Sequence, residues 1–246
     1  MSGWTSATIV ERRVWADGLA TFRLAAAIEP FEPGQWVNLA LEIDGELIRR
    51  AYSIASAPGA PLEFLLTVVD GGALTPTLLS LPDGAPVEVE TRAQGFFTLH
   101  YVPEAKELWM VATGTGLGPF MSIVRSREVW ERFEKIVLVH GVRHAAHLAY
   151  SDELDALSLA HEARLIRVPV VSREEVPGAL RGRIPHLLAS GELEARAGVS
   201  LSSTRSHVML CGNPGMITDM TAALHAVGLE RHRVRKPGHI TVEKYW

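Results

Sequence analysis

The spacing of apolar residues changes near residue 100, and this change constrains the fold more than any other feature of the sequence. Before it, short segments alternate apolar with polar residues or are rich in β-branched residues, such as ATIVERRVW, QWVNLALEI, AYSIAS and APVEVETR. Turn signals such as IDGE, SAPGAP and LPDG separate these segments. The first part of the chain therefore predicts an antiparallel barrel or sandwich.

After residue 100, short apolar segments alternate with longer amphipathic ones. LWMVAT precedes GLGPFMSIVRSREVWERF, KIVLVHGV precedes HLAYSDELDALSLAHEA, RLIRVPVVS precedes RIPHLLASGELEARA, and HVMLCG precedes GMITDMTAALHAVG. Apolar strands that alternate with amphipathic helices predict a doubly wound parallel sheet covered on both faces. We therefore expect an all-β domain over residues 1–101 and an α/β domain over residues 102–246.

Composition excludes several classes of protein. The single cysteine, Cys211, permits no intramolecular disulfide, and the first residues lack the apolar core of a signal peptide. No uncharged apolar run approaches the roughly 20 residues of a membrane helix. We therefore expect a cytoplasmic protein that is not inserted in a membrane. We also expect a monomer. The net charge of −4 argues against bulk nucleic-acid binding. RHRVRK, residues 231–236, is a local basic cluster that is either a solvated loop or a docking patch for a partner.

The first strand of the predicted parallel sheet ends in ATGTGLGP, residues 112–119, which leads into a helix. Glycines let the backbone approach a pyrophosphate, and a helix N-terminus offers unpaired N–H groups. This turn predicts a phosphate cradle, with a tight turn that binds no ligand as the alternative.

Hydroxyl and guanidinium groups follow the next strands. Ser172 and Arg173 come just after RLIRVPVV, and Arg181 and Arg183 lie at the start of the following helix. Guanidinium groups match phosphate oxygens, so a 2′-phosphate would fit there, with ordinary surface arginines as the alternative. Arg143, after VLVHG, is a further candidate.

Two further segments admit two interpretations each. RAYSIAS, residues 50–56, combines an arginine, an aromatic ring and hydroxyls that could bind a phosphate and a planar ring, or could form an ordinary half-buried strand. Cys211 in CGNPGM lies at a predicted strand end and could reach the ligand edge of the sheet. A lone cysteine is otherwise most often a small buried apolar residue.

Five motifs of this chain resemble, in their order and spacing, those of the ferredoxin–NADP reductase family: RAYSIAS, TGTGLGP, VVSRE with GRIP, CGNPGM and VEKYW. The final Tyr-Trp resembles the bacterial branch of that family. The resemblance extends from about Trp4 to Trp246. It implies an N-terminal FAD-binding antiparallel β-barrel over residues 1–101, a C-terminal NADP-binding α/β domain over residues 102–246, and the flavin held between them. It also implies hydride transfer between NADPH and flavin N5, and single-electron exchange with ferredoxin or flavodoxin as partner.

The resemblance assigns residues in the β domain to FAD. Arg50 resembles the family arginine at the FAD pyrophosphate, Tyr52 the ring on one flavin face, and Ser53 the hydroxyl near flavin N5. Ala73 departs from relatives that carry a lysine at its position. The full set of implied FAD contacts in this domain is Arg50, Ala51, Tyr52, Ser53, Leu65, Leu66, Thr67, Ala73, Leu74 and Thr75.

The resemblance likewise assigns residues in the α/β domain and at the C-terminus. Cys211 and Glu243 resemble the pair that, with Ser53, borders the hydride-transfer site, so these three are the expected catalytic residues. Tyr245 is expected to lie on the flavin face opposite Tyr52, with the alternative that Tyr245 and Trp246 close the end of a hydrophobic core. The remaining expected cofactor contacts are Thr115, Arg143, Ser172, Arg173, Arg183, Asn213, Pro214, Gly215 and Trp246.

Other functions predict different outcomes. A reductase of an oxygenase system, or a flavin reductase, has the same two domains and often prefers NADH, which the cluster of Ser172, Arg173 and Arg183 argues against. A non-catalytic nucleotide-binding module would transfer no electrons to a carrier. The histidines of HGVRHAAH lack a carboxylate or cysteine at ligand spacing, so we expect no metal site.

Overall fold

The computed structural model describes residues 3–69 and 71–244. Contacts between residues divide the chain into two units. The first reaches to Leu99 and also takes in Gly118–Ser126, and the second comprises His100–Leu117 and the chain from Arg127 onwards. The segment Gly118–Ser126 was expected in the α/β domain but groups with the first unit, and the functional boundary after residue 101 stays a prediction.

The first unit is built on a six-stranded antiparallel sheet. Its strands are β1 Trp4–Ala16, β2 Leu19–Ala25, β3 Trp36–Ile43, β4 Glu46–Ser53, β5 Leu62–Thr67 and β6 Pro86–Glu90. They lie in the order β4-β3-β6-β1-β2-β5. The chain after β4 also reaches β5, because the Ala55 backbone N–H donates to the Glu63 carbonyl at 2.7 Å. The predicted antiparallel β fold is therefore confirmed.

The turn between β3 and β4 sets the register of the strand that carries the RAYSIAS motif. Asp44 and Gly45 have φ values of 52° and 79°, which suit a two-residue hairpin turn, and Ile43 pairs with Glu46 across it. As a result β4 begins at Glu46 and ends at Ser53, so it lies earlier in the chain than the predicted strand at residues 51–56. The short helix α1 Leu74–Ser80 follows β5 and buries Leu74 and Leu78.

The second unit contains a six-stranded, wholly parallel sheet, as predicted. Its strands are β7 Glu107–Thr113, β8 Lys135–Val142, β9 Leu165–Val171, β10 Leu180–Arg181, β11 Ser206–Gly212 and β12 Ile240–Lys244. Their order is β10-β9-β8-β7-β11-β12. Strand order therefore reverses between β7 and β11, and such a switch point opens a crevice at the carboxyl ends of the two strands.

Helices separate the parallel strands along the chain. They are α2 Leu117–Val124, α3 Arg127–Arg132, α4 Ser151–Ala160, α5 Ile184–Ala189, α6 Glu192–Ala197 and α7 Pro214–Ala226. The segment expected to be helical over GLGPFMSIVRSREVWERF is two helices, and the Ser126 hydroxyl donates to the Ile123 carbonyl at 2.7 Å between them. Gly191, with a φ of 78°, separates α5 from α6. In the described part of the chain, no helix has the length and apolar character needed to cross a membrane.

Candidate functional site

Three strand ends of the parallel sheet bring the predicted phosphate-binding residues to one edge. Val171 at the end of β9 pairs with Val142 of β8 and with Arg181 of β10. Backbone hydrogen bonds continue this alignment beyond the strands: Ser172 N–H donates to the Val142 carbonyl at 3.0 Å. Arg173 N–H similarly donates to the Arg143 carbonyl at 3.0 Å. Arg143, Ser172 and Arg173 are therefore neighbours at the carboxyl edge of the sheet.

The guanidinium groups at this edge differ in what they contact. Arg181 pairs with Glu175 at 2.6 Å. Arg143, Arg173 and Arg183 are exposed, and no carboxylate of residues 3–69 or 71–244 pairs with their side chains. Three exposed cations beside the half-buried Ser172 form a donor set suited to a phosphate dianion.

The glycine-rich turn at the switch point packs directly against the end of β11. A Cβ atom at Gly116 would collide with the Cys211 carbonyl oxygen. Gly212 has a φ of 136°, and a Cβ there would collide with the Thr113 hydroxyl. That hydroxyl accepts a hydrogen bond from the Asn213 backbone N–H at 2.9 Å. Side chains are thus excluded at both glycines, which lets the two strand ends approach closely.

The helix that follows β11 starts with a well-defined cap. Asn213 Oδ1 accepts hydrogen bonds from the N–H groups of Gly215 at 2.8 Å and Met216 at 3.3 Å, and Pro214 occupies the first turn. Thr115, in the turn Gly114–Gly116, lies at the other side of the same switch point. The structure therefore brings together the residues expected at the nicotinamide end, namely Thr115, Asn213, Pro214 and Gly215.

The predicted catalytic residues of this unit lie on adjacent strands. Cys211 pairs with Glu243 of β12 on one side and with Ala112 of β7 on the other, and it is fully buried. The Oε2 atom of Glu243 is buried and has no hydrogen-bond partner among the described residues. Burial raises the pKa of Glu243 to about 7. Cys211 and Glu243 are thus neighbours, and the carboxyl group is poised to bind or release a proton near neutral pH.

The first unit assembles part of the predicted FAD site independently. The Tyr52 hydroxyl and the Thr75 Oγ1 atom are hydrogen-bonded at 2.9 Å, although the two residues lie on β4 and α1. Burial raises the pKa of Tyr52, while the Thr75 hydrogen bond and the positive charge of Arg50 oppose that rise. Arg50 is exposed and donates to the Arg49 carbonyl at 2.7 Å. Ala73 provides no side-chain cap for α1, so the first N–H groups of this helix have no side-chain acceptor there.

The remaining expected FAD contacts flank this cluster along the chain. Leu65, Leu66 and Thr67 form the end of β5, and Leu65 and Leu66 are buried. Ala51 is exposed on β4, and Ser53 is buried at the end of the same strand. Tyr245 and Trp246 lie outside the described residues.

Two family models match the chain, one in each half. Residues 8–97 match the oxidoreductase FAD-binding domain, and residues 110–222 match the oxidoreductase NAD-binding domain. The flavodoxin/ferredoxin–NADP reductases of Escherichia coli strain K12 and Shigella flexneri are each 43% identical to the chain over 248 aligned residues. These alignments cover 100% of the chain and 100% of each relative.

The chain belongs to the flavodoxin/ferredoxin–NADP reductase family. A ferredoxin NADP+ reductase from Neisseria gonorrhoeae, whose crystal structure contains bound FAD and NADP, superimposes with a TM-score of 0.92 at 32% identity. That match covers 98% of both chains. The expected family and the two-part fold class are therefore confirmed.

The residues present fit the two cofactors of this reductase family. For FAD, the first unit offers the Arg50 guanidinium, the Thr75 hydroxyl and the uncapped N–H groups of α1, all suited to a pyrophosphate. For NADP, the second unit offers exposed guanidinium groups with a serine hydroxyl, and a glycine-rich turn at a topological switch point. The Glu243 Oε2 atom is buried and has no hydrogen-bond partner within residues 3–69 and 71–244, so it is a polar group that a ligand can satisfy.

His140 has a structural role that sequence reasoning missed. The ring is buried at the end of β8, and its Nε2 atom lies 3.0 Å from the Gly114 carbonyl oxygen in the glycine-rich turn. Because a carbonyl oxygen only accepts, Nε2 carries the proton and donates. Among the described residues, no group of three or more His, Cys, Asp or Glu side chains is arranged to hold a metal. The sequence contains one signal for this role: a histidine near the end of an apolar strand, β8, that neighbours β7, the strand leading into the glycine-rich turn.

The buried histidines predict acid sensitivity. Burial lowers the pKa of His140 to about 4 and that of His207 to about 3. The folded protein therefore keeps both rings neutral at pH values where the same histidines in the unfolded chain, with the ordinary pKa of 6.5, already bind protons. Stability should therefore be complete above pH 6.5 and fall as pH decreases, by up to about 1.4 kcal/mol per pH unit per ring. Urea titrations at several pH values measure this slope, which His140→Gln should reduce while exposed His225→Gln does not. An equal slope in wild type and His140→Gln contradicts this assignment.

The contribution of Glu243 to stability should have the opposite pH dependence. The folded pKa of Glu243, about 7, exceeds the ordinary value of 4.5. The stability that the neutral carboxyl contributes is thus present below pH 4.5 and is lost as pH rises through about 7. Glu243→Gln, which is always neutral, should abolish a transition near pH 7 in the rate of flavin reduction by NADPH. Rapid-mixing measurements from pH 6 to 9 test this, with exposed Glu230→Gln as control, and a retained transition would assign the titration to another group.

Proposed function

We propose that this protein is an FAD-dependent oxidoreductase that transfers electrons between NADPH and ferredoxin or flavodoxin. The observation that carries the choice of NADPH is the row of exposed guanidinium groups beside Ser172 at the ends of β8, β9 and β10. The E. coli and S. flexneri relatives, which cover the whole chain, are named for this activity. FAD and NADP(H) are accordingly its cofactors.

FAD, when bound, supplies the redox chemistry, because a flavin accepts two electrons as a hydride and can pass them on singly. The protein contributes binding, orientation and exclusion of water. In the first unit, Arg50 and the first turn of α1 bind the pyrophosphate, and Tyr52 is held in place by its hydrogen bond to Thr75. Ala51, Leu65, Leu66 and Thr67 line the same binding region. Deprotonated Tyr52 is disfavoured by burial, so its hydroxyl stays neutral at physiological pH.

NADPH binding has two parts in this proposal. Ser172, Arg173, Arg183 and Arg143 bind the 2′-phosphate end, where guanidinium groups supply charge and the serine hydroxyl supplies a hydrogen bond. Thr115 and the segment Asn213–Gly215 bind toward the nicotinamide end at the switch point. The protein lowers the barrier to hydride transfer by positioning both ends of one dinucleotide on a rigid sheet edge.

Ser53, Cys211 and Glu243 are the proposed catalytic residues. Cys211 packs beside the nicotinamide, Ser53 provides a hydroxyl at the flavin, and Glu243 holds or releases a proton at its buried Oε2 atom. Tyr245 and Trp246 are proposed to stack on FAD, with Tyr245 on the isoalloxazine ring and Trp246 on the adenine. The domain assignment, residues 1–101 to FAD and 102–246 to NADP, is part of the same proposal.

A basic turn is the proposed docking surface for the acidic carrier. Arg233 and Lys236 exchange backbone hydrogen bonds at 3.0 and 2.9 Å, which closes a tight turn. Arg231, Arg233, Arg235 and Lys236 are all exposed around it. Concentrated positive charge steers acidic partners even when the net charge of the protein is negative. We further propose that the protein acts as a cytoplasmic monomer.

Steady-state turnover with a carrier tests the proposal directly. The purified, FAD-loaded protein is supplied with NADPH or NADH, and reduction of ferredoxin, flavodoxin or free flavin is followed spectroscopically. The proposal predicts NADPH-dependent reduction of ferredoxin or flavodoxin with strong preference over NADH. Preference for NADH, or reduction of free flavin only, would instead assign the chain to an oxygenase-type or flavin reductase. Bound flavin without carrier reduction would indicate a non-catalytic module.

A further inference from the structure

Helix α2 and Arg125, the residue that follows it, each donate one side-chain hydrogen bond to the end of the RAYSIAS motif, just after β4. The Ser122 hydroxyl donates to the Ser56 carbonyl at 2.7 Å, and Arg125 Nη1 donates to the Ala55 carbonyl at 2.8 Å. A third approach is made by the backbone, since a Cβ atom at Gly118 would lie 3.7 Å from the Ser53 carbonyl oxygen. All of these residues belong to the first compact unit. Helix α2 and the residue after it thus contact the chain at the end of β4 through two hydrogen bonds and one close backbone approach.

A buried carboxylate holds Arg125 in this position. Arg125 Nη1 also donates to Glu63 Oε1 at 2.7 Å, and Arg23 Nε donates to Glu63 Oε2 at 2.7 Å. The Glu63 side chain is only 2% exposed and that of Arg125 14%. A buried carboxylate is costly unless its oxygens are paired, and here Oε1 pairs with Arg125 and Oε2 with Arg23. Moving the Arg125 side chain would remove one of these two charge partners.

The same carboxylate-bearing strand holds the segment from its other side. Ala55 N–H donates to the Glu63 carbonyl at 2.7 Å, and Ser56 Oγ accepts from the Glu63 N–H at 3.1 Å. Ala55 and Ser56 are thus hydrogen-bonded on two sides: to Glu63 of β5 through the Ala55 N–H and the Ser56 hydroxyl, and to Arg125 and Ser122 through their carbonyl oxygens. We therefore expect a displacement of α2 to move Ser53 as well, since Ser53 lies two residues before Ala55.

We propose that Arg125 and Ser122 are positioning residues for Ser53, and that the Arg23–Glu63–Arg125 network sets the position of the strand end that contacts the flavin. This inference rests on the proposed function, which gives Ser53 its role at the flavin. The residues act through the backbone of Ala55 and Ser56, so they affect how the flavin is oriented for reaction more than how NADPH is bound. Displacements of about 1 Å in a reacting geometry cost up to about a hundred-fold in rate.

Arg125→Met and Ser122→Ala test this assignment in the FAD-loaded protein. Met keeps much of the buried volume of Arg125 but removes its donors. We expect the rate constant of anaerobic flavin reduction by NADPH to fall about ten-fold or more in Arg125→Met and by a smaller factor in Ser122→Ala. The dissociation constant for NADP+ should stay within about two-fold. The visible absorption band of bound FAD should shift in both variants, and Arg125→Lys should partly restore rate and spectrum.

Arg127→Met is the matched control, because Arg127 is 90% exposed and pairs only with Glu131 on the helix surface among the described residues. It should change neither rate nor spectrum. A lower melting temperature or FAD content with an unchanged reduction rate and spectrum in the flavin-containing fraction would show a merely structural role and overturn the inference. Failure of wild-type protein to be reduced by NADPH would overturn the proposed function instead. The spectral shift, which needs no turnover, then still tests whether Arg125 positions the flavin-binding strand.

Discussion

Replacing Arg173 and Arg183 together by alanine should raise the Michaelis constant for NADPH about a hundred-fold and change that for NADH by less than about three-fold. Hydrogen bonds to charged groups are each worth about 1.5–3 kcal/mol, and two of them would be lost from the 2′-phosphate. NADH lacks this phosphate, so it cannot lose the contacts. Steady-state kinetics with both nucleotides measure the effect as a change in specificity.

The chain offers a matched control for this experiment. Arg181 lies between the two residues in sequence but pairs with Glu175, so Arg181→Ala removes one positive charge from the same region without removing an unpaired guanidinium of the described residues. Arg181→Ala should change the Michaelis constant for NADPH far less than the double variant does. Equal losses for NADPH and NADH in the double variant would refute the 2′-phosphate assignment. They would indicate that the arginines bind a part common to both nucleotides or support the local fold.

Cys211→Ala should slow hydride transfer by about ten- to a hundred-fold while leaving FAD bound and NADP+ affinity nearly unchanged. The residue is fully buried between β7 and β12, and its carbonyl oxygen packs against Gly116 in the glycine-rich turn. In the proposed function its thiol supports the nicotinamide from this side, so truncation leaves the ring less well positioned. Single-turnover flavin reduction under anaerobic conditions isolates that step.

Cys211→Ser separates positioning from packing, because serine keeps nearly the same volume. We expect Cys211→Ser to retain more of the rate than Cys211→Ala, with similar FAD content in both. If Cys211→Ala reduces the flavin as fast as wild type, and differs only in melting temperature, Cys211 is a core residue and not part of the transfer site.

Much of the second unit could be predicted because its strands are buried on both faces. The segment KIVLVHGV was predicted as a strand, and β8 covers the same residues, Lys135–Val142. The rule that ligands bind at the carboxyl ends of parallel strands then placed Arg143, Ser172 and Arg173 at one edge, where the register puts them. Strand β12 was not predicted, since it is only five residues long and lies at the edge of the sheet.

Features that depend on distant contacts could not be predicted from local pattern. The helix after the glycine-rich turn was expected in the α/β domain, but it groups with the first unit. The ion pair between Arg125 and Glu63 joins residues 62 positions apart, and no periodicity announces it. The hydrogen bond between Tyr52 and Thr75 could not be predicted either. The family resemblance assigns each residue to FAD separately, and the fold brings the two side chains together.

Binding of FAD and acceptance of hydride from NADPH are the central properties proposed for this chain. Their most direct test is the visible absorption spectrum of the purified protein after incubation with FAD and removal of excess, followed by anaerobic titration with NADPH. We predict a flavin spectrum with stoichiometric FAD, bleached by stoichiometric NADPH and far more slowly by NADH. A colourless protein that takes up no FAD, or a bound flavin that NADPH leaves oxidised, would contradict the account.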